Sequence, residues 1–235
     1  MKVIKLGGSL LNDVDSLANC LNTIEHNAKE KIVIVPGGGI FADQVRLAQL
    51  QWDFDDITAH HMAVLAMQQM AFLLKSHKPQ FVLADNKADI CNTDAVIIWS
   101  PEIQWLNDAG VKASWDITSD SLAAWLANQF PIDELILIKS AIIPVKYTIQ
   151  QMQQQGIVDK AFNQFTETAQ YKITLISVPS FECTVNQVLP IEALVFSSML
   201  SITLLSIGTS ALSSFFTAME RDKLYGATEA IMSWE

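Results

Sequence analysis

The sequence predicts an α/β fold, a three-layer α/β/α sandwich with a mostly parallel central sheet. Short apolar runs rich in β-branched residues recur along the 235 residues, as is typical of buried parallel strands. Segments with helical periodicity separate these runs, and strands that alternate with helices form an open parallel sheet covered on both faces. The chain is 50% hydrophobic and only 17% charged, so much of it must be buried.

The first predicted elements form a β-α-β unit. Residues 3–6 and 31–35 are apolar strands followed by glycine turns. The helix between them covers residues 13–27, and its apolar face carries Val14, Leu17, Ala18, Leu21 and Ile24. Further strands are predicted to begin at Phe81, Asp94, Glu134 and Lys172, and further helices to cover residues 57–75 and 119–129. Residues 1–182 therefore form one predicted domain.

The C-terminal segment, residues 183–235, does not follow this alternation. Its residues 193–219 carry no charge and are long enough to span a bilayer. The many Ser and Thr side chains disfavour a lipid-facing helix, so we expect a strand within residues 200–209 and a surface helix near the end, packed on the same domain. The alternatives are a membrane helix and an unrelated extension.

Charge and cysteine content exclude several function classes. The net charge of −10 leaves no basic field to attract nucleic acid. Cys20, Cys91 and Cys183 lack the spacing of metal ligands or of a disulfide framework, so we interpret them as small core residues of a cytoplasmic protein. No metal site is predicted.

Two glycine turns are the first candidates for chemistry. Gly7, Gly8 and Ser9 follow the first strand and its Lys5, and Gly37, Gly38 and Gly39 follow the second strand. Backbone N–H groups in such turns can close around an anion, and phosphate is the natural guest. The first turn alone is equally well explained as an ordinary strand-turn-helix connection. Neither turn has the spacing of a Walker A loop or a dinucleotide-binding fingerprint.

Two polar segments follow later in the chain. Thr118, Ser119 and Ser121 surround Asp120 at the start of a predicted helix, and capping alone would explain only one of these residues. Asp159 and Lys160 follow a glycine in "QQGIVDKAF", where a lysine by itself would be interpreted as a surface residue.

Taken in this order, the four segments resemble the amino acid kinase superfamily over about residues 1–180. The stretches "AHHMAVLAMQQMA", "SWDITSDSLAAWLA", "LILIKS" and "GIVDKAF" are similar to the branch that phosphorylates an aminomethyl-furanmethyl phosphate in methanofuran biosynthesis. The resemblance implies a carbamate kinase-like fold, ATP and Mg²⁺ as cofactors, a small phosphate-bearing substrate and a homo-oligomer. The product would be a diphosphate.

The resemblance also implies residue roles. Lys5 and Lys160 would flank the transferred phosphoryl group, and Asp120 would hold both lysines in place. The residues expected to bind the nucleotide are Gly7, Gly8, Ser9, Lys139, Ser140 and Asp159. Those expected to bind the acceptor are Gly37, Gly38, Gly39, His60, Thr118 and Ser119, with Asp43 holding the substrate ammonium. After Lys139 the chain continues "SAIIPV", where relatives carry an Asp-Gly turn.

Several alternatives stay open. The same fold could phosphorylate an amino acid carboxylate or a nucleoside monophosphate, or the chain could be a non-catalytic nucleotide-binding relative. His60 and His61 point about 100° apart on a helix and cannot chelate one metal together. We expect His60 to face either the substrate or the core, and His61 to face solvent or pack. Among the tryptophans, which we treat as packing residues, Trp115 is the candidate for the site.

Overall fold

A computed structural model describes residues 1–140, 143 and 148–178. All of these residues belong to the first of two units, Met1–Asn186. The predicted domain boundary after residue 182 and the expectations for residues 183–235, Cys183 included, lie outside the described residues.

The centre of the molecule is a sheet of six strands, all parallel. The strands are β1 Lys2–Leu6, β2 Ile32–Pro36, β3 Val82–Ala84, β4 Ile97–Trp99, β5 Glu134–Lys139 and β6 Lys172–Ser177. Their order across the sheet is β3-β4-β2-β1-β5-β6. Every strand that the sequence predicts up to residue 178 is present, and the α/β fold is confirmed.

Helices connect the strands. They are α1 Val14–His26, α2 Gly39–Trp52, α3 Asp56–His77, α4 Lys87–Asn92, α5 Ile103–Asp108, α6 Ser119–Ala127, α7 Ile149–Gln154 and α8 Phe162–Thr166, and a short 3-10 turn covers Gly8–Asn12. Side chains cap several of them: the Asp13 carboxylate accepts a hydrogen bond from the Ser16 N–H and so begins α1.

Both faces of the sheet are buried, which makes the sandwich three-layered. Because successive residues of a strand point to opposite faces, Val3 and Val33 pack into one core while Ile4 and Ile34 pack into the other. The first core is completed largely by α6 and the second largely by α1. The alternation also decides where polar side chains of these strands point.

The structure corrects two details of the predicted core. The sequence predicts Val14 on the apolar face of α1, but Val14 begins the helix and is 65% exposed, since the buried face starts one turn later at Leu17. Cys20 is buried as expected, whereas Cys91 lies near the end of α4 and is exposed.

Helix α3 is long and apolar enough to cross a membrane by length and composition alone. Its buried Val64 and Met67 pack in one core, and its Ala71 and Leu74 pack in the other. Both cores therefore include residues of α3, while Ile57, Leu65 and Phe72 of the same helix are exposed.

The register of the central strands decides where the site lies. Leu6 at the end of β1 pairs with Pro36 on one side and with Ile138 on the other. The turns that follow β1, β2 and β5 therefore meet at one edge of the sheet. In open parallel sheets the carboxyl edge is the usual position for ligand binding.

Helix α1 supplies a test of the second core. Leu21 is fully buried there, so Leu21→Ala should lower the free energy of unfolding by about 2–5 kcal/mol through lost burial and the remaining cavity. Val14→Ala on the same helix should change it by no more than about 0.5 kcal/mol. Urea unfolding of both variants measures the difference, and equal losses would contradict the described packing.

Candidate functional site

The two glycine turns interlock at the carboxyl edge of the sheet. The Gly37 N–H donates to the Leu6 carbonyl at 2.9 Å, which joins the end of β2 to that of β1. A Cβ on Gly8 would lie 2.4 Å from the Gly39 nitrogen, and a Cβ on Gly37 would lie 2.5 Å from the Gly8 nitrogen. Only glycine permits this approach at positions 8 and 37. Because the first N–H groups of a helical segment lack an intrahelical acceptor, the paired turns form a backbone cradle for an anion.

A buried ion-pair cluster lies next to this cradle. The Lys5 Nζ lies 2.8 Å from Asp120 Oδ1, and the Lys139 Nζ donates to Asp120 Oδ2. The side chains of Lys5 and Asp120 are only 5% and 4% exposed. Asp120 comes from the first turn of α6, which covers this face of the sheet. One carboxylate thus holds two ammonium groups, and the cluster keeps one net positive charge.

The charges of the cluster shift the pKa values of Asp120 and Lys139. Burial would raise the pKa of Asp120, but the ammonium groups of Lys5 and Lys139 outweigh it and hold this pKa below its ordinary value. Burial and the nearby Lys5 charge lower the pKa of Lys139 to about 8, against the opposing effect of Asp120. At neutral pH the carboxylate is therefore ionised and most Lys139 side chains are protonated.

Lys160 does not occupy the position predicted for it beside Asp120. Its side chain is 81% exposed, and its ammonium pairs with Asp116 at 3.3 Å. Lys139 takes that position because β5 is paired directly with β1, whereas Lys160 lies in the connection before α8. The sequence interpretation assigned Lys139 to the nucleotide and did not foresee its pairing with Asp120.

Asp159 contacts the protein through both carboxylate oxygens. Its Oδ2 accepts hydrogen bonds from the backbone N–H groups of Thr118 and Ser121, at 3.0 and 2.8 Å. Its Oδ1 accepts a hydrogen bond from the Thr118 hydroxyl. Asp159 thereby caps α6 and positions Asp120, a function that its predicted assignment to the nucleotide did not include.

Ser9 and Ser140, both predicted to bind the nucleotide, lie together. Their hydroxyl oxygens are 2.6 Å apart, and the first turn is fastened to the same strand by the Gly7 N–H, which donates to the Ile138 carbonyl at 3.0 Å. A small cavity of about 160 Å³ lies against both serines and Asp13.

A larger cavity of about 250 Å³ lies against both glycine turns. It gathers most of the predicted acceptor residues together with part of the first glycine turn: Gly8, Ser9, Gly38, Gly39, Asp43, His60, Thr118 and Ser119. Gly37 is not among the lining residues, and its contacts are with Gly8 and Leu6. The sequence interpretation missed other lining residues, among them Asn12, Arg46, Ile117 and Leu122.

His60 presents a neutral imidazole to this cavity. The ring is 5% exposed, and the Ser114 N–H donates to its Nδ1 at 3.4 Å. Burial lowers the pKa of His60, so the ring is neutral at pH 7 and its proton lies on Nε2. His61 does not line the cavity, and its Nε2 lies 3.4 Å from the Asn107 Oδ1.

Trp115 lines the cavity, whereas three other tryptophans pack. Trp99, Trp105 and Trp125 form a cluster with ring centroids 5.0 to 6.2 Å apart. The Trp115 Nε1–H donates to Gln49 Oε1 at 2.7 Å, and the Arg46 guanidinium carbon lies 3.8 Å from the Trp115 ring centroid. Arg46 could have been found from sequence as the cation one turn after Asp43 on the same helix.

Comparison with known sequences finds two relations. Residues 1–141 match the amino acid kinase family. The chain is also 30% identical over 140 residues to the [5-(aminomethyl)furan-3-yl]methyl phosphate kinase of Methanocaldococcus jannaschii. That alignment covers 58% of this chain and 64% of the relative, so the chain spans less than two thirds of the relative's length.

Solved structures share the fold. The uridylate kinase of Archaeoglobus fulgidus matches with a TM-score of 0.57 at 19% identity, over 79% of this chain and 96% of its own. The UMP kinase of Bacillus anthracis matches with 0.56 at 15% identity, over 76% and 87%. The aspartate kinase of Synechocystis matches with 0.56 at 14% identity, over 77% and 38%.

The match to the amino acid kinase family covers residues 1–141, which is more than half of the 235-residue chain. The chain therefore belongs to the amino acid kinase family.

Proposed function

We propose that the protein transfers the γ-phosphoryl group of ATP to the phosphate of a small aminomethyl-furan monoester and forms a diphosphate. The observation that carries this proposal is the net positive cluster of Lys5, Asp120 and Lys139 beside the interlocked glycine turns. The name of the Methanocaldococcus jannaschii relative supports the choice of acceptor.

Phosphoryl transfer depends mainly on positioning and on neutralising the charge of the phosphoryl oxygens. Lys5 and Lys139 would supply fixed positive charge there, because Asp120 holds both ammonium groups in a water-poor environment. Lys160 would supply a further charge from the surface, since its exposed side chain pairs with Asp116 alone among the described residues. The backbone of the glycine turns would hold the phosphate oxygens.

Bound ATP would supply the phosphoryl group, with Mg²⁺ neutralising part of the phosphate charge. The glycine cradle fits this group, because the two turns approach each other without side chains and each begins a helical segment whose first N–H groups lack an intrahelical acceptor. Among the described residues no group of three or more His, Cys, Asp or Glu side chains could hold a metal ion. Mg²⁺ that arrives with nucleotide phosphates needs few protein ligands.

The acceptor phosphate needs no general base. The second pKa of a phosphate monoester is about 6, so its oxygens are largely ionised at pH 7 and can attack directly. His60 would then act as a donor: the proton on Nε2 can bond to an acceptor oxygen, since Nδ1 already accepts from Ser114. Asp43, which lines the same cavity, would hold the ammonium of the substrate.

The substrate assignment is tested by ADP formation with purified protein. We expect Mg²⁺-dependent ADP release with the aminomethyl-furan monoester and little with UMP, acetylglutamate or aspartate. Hydroxylamine should trap no product, because acyl phosphates react with it and diphosphates do not. Equal or faster ADP release with UMP or an amino acid, and none with the furan monoester, would overturn the assignment.

The charge cluster is tested by substitution. Lys5→Met and Asp120→Asn should each lower kcat about 100-fold or more, through lost stabilisation of the phosphoryl charge. Asp120→Asn should also destabilise the fold, because it leaves two buried ammonium groups without a carboxylate.

Lys160→Ala separates an effect on catalysis from an effect on stability. We expect a similar loss of kcat with no change in urea midpoint, because an exposed ammonium contributes little to stability. Lys172 of β6, an exposed lysine that pairs with Glu134 of β5, supplies the matched control: Lys172→Ala should leave both unchanged. Wild-type kcat in Lys160→Ala would remove this lysine from the mechanism.

The pH dependence of kcat/KM tests Lys139, since this ratio reports groups of the free enzyme. The pKa of Lys139 is about 8, and the charged groups around it are Lys5, Asp120 and Asp159. The ammonium is lost as pH rises, so kcat/KM should fall above pH about 8. Lys139→Arg should move this fall to higher pH, because a guanidinium stays protonated. The same fall in both proteins would show that another group titrates.

A further inference from the structure

Two opposite charges in the 250 Å³ cavity have no ion-pair partner in the part of the chain that the structure describes. Asp43 and Arg46 lie three residues apart on α2, and both line the cavity. No carboxylate of the described residues lies within ion-pair distance of Arg46, and no ammonium or guanidinium lies within that distance of Asp43. With His60 neutral, these are the two charged side chains that the cavity offers to a ligand.

The Arg46 guanidinium is held in a defined position. It lies over the Trp115 ring at 3.8 Å, and the Trp115 Nε1–H is bonded to Gln49 Oε1. The Gln49 Nε2 donates in turn to the Phe54 carbonyl at 3.1 Å, in the connection between α2 and α3, and to Asp56 Oδ1 at 2.9 Å, at the start of α3. A guanidinium that lies over an aromatic ring can still offer its N–H donors to a planar or tetrahedral anion.

Apolar side chains from three elements also line the cavity. Val64 and Met67 come from α3, Ile117 comes from the segment before α6, and Leu122 comes from α6 itself. A small uncharged ring can lie against such a surface while charged substituents reach the polar residues. The cavity is therefore complementary to a compact ring that carries one anion and one cation.

We propose that Arg46 is the residue that recognises the phosphate of the acceptor, and that Trp115 and Gln49 are positioning residues that orient it. The site then selects zwitterionic phosphomonoesters on a small ring: Arg46 binds the phosphate through two N–H donors, and Asp43 binds the ammonium. Acceptors that lack either charge leave one of the two side chains without a partner, and are bound less well. The identity of the ring in this inference rests on the proposed function. The roles given to Arg46 and Asp43 do not depend on it.

Equilibrium binding without nucleotide tests this assignment separately from turnover. Three probes carry both charged groups, the phosphate alone or the ammonium alone: the aminomethyl-furan monoester, the same monoester without its aminomethyl group, and the aminomethyl-furan alcohol without its phosphate. Isothermal titration measures their dissociation constants for the wild type, Arg46→Ala and Asp43→Asn. Gln44→Ala is the matched control, because Gln44 is exposed on the same helix and does not line the cavity.

We expect Arg46→Ala to weaken both phosphate-bearing probes by about tenfold or more and to leave the alcohol unchanged. Asp43→Asn should weaken the two amine-bearing probes and spare the monoester without the amine. Arg46→Lys should retain only part of the wild-type affinity for the phosphate probes, because lysine keeps the positive charge but lacks the planar set of N–H donors. Gln44→Ala should bind all probes as the wild type does.

Trp115→Phe tests the positioning role. It retains an aromatic face and loses the hydrogen bond to Gln49, so phosphate affinity should fall less than in Arg46→Ala at an unchanged urea midpoint.

The proposal is overturned if Arg46→Ala leaves phosphate binding unchanged, or if it weakens binding of the alcohol equally. Failure of the wild type to bind either phosphate probe would also overturn it. Selective binding without ADP formation would contradict the proposed function alone.

Discussion

The ion pairing of one buried carboxylate, Asp120, with two lysines is the interaction on which the site depends. Two ammonium groups could not share this water-poor edge of the sheet without a compensating negative charge. The pairing also constrains the fold, because β1, β5 and the first turn of α6 must all be in place for it to form. Asp159 completes the constraint by capping α6. The net charge that remains is available to an anion bound in the glycine turns.

The charged side chains of the site fall into two groups: those that pair with one another, and those that have no ion-pair partner among the described residues. At the edge of the sheet the charges are buried and mutually paired, so their positions are rigid before anything binds. On the wall formed by α2, Asp43 and Arg46 are exposed and have no ion pair among the described residues. The first group suits chemistry that needs fixed charge, and the second suits recognition of a substrate. Both meet at the interlocked glycine turns, where side chains are excluded by distance.

The departures from the predicted site share one physical cause. Lys160 and Asp159 are neighbours in sequence, yet one points to solvent and the other caps a helix about 40 residues earlier in the chain. Arg46 was not among the predicted site residues, and its contact with Trp115 joins two segments that lie far apart in sequence. A pattern of residue types indicates which groups can take part in chemistry. It does not indicate which partner each group reaches.

The sequence by itself determined the six described strands, α1, α3, α6 and the two glycine turns, because apolar periodicity and the need for glycine are local properties. It also indicated that Lys5 and Asp120 belong to one site, through the family that their motifs resemble. Only the tertiary structure decided that Lys139 shares Asp120 with Lys5. That choice follows from the parallel pairing of β1 with β5, in which Val3 and Lys5 point to the same face as Leu135, Leu137 and Lys139. Strand order is set by packing across the whole sheet, and residues 5, 120 and 139 become neighbours only once that sheet has formed.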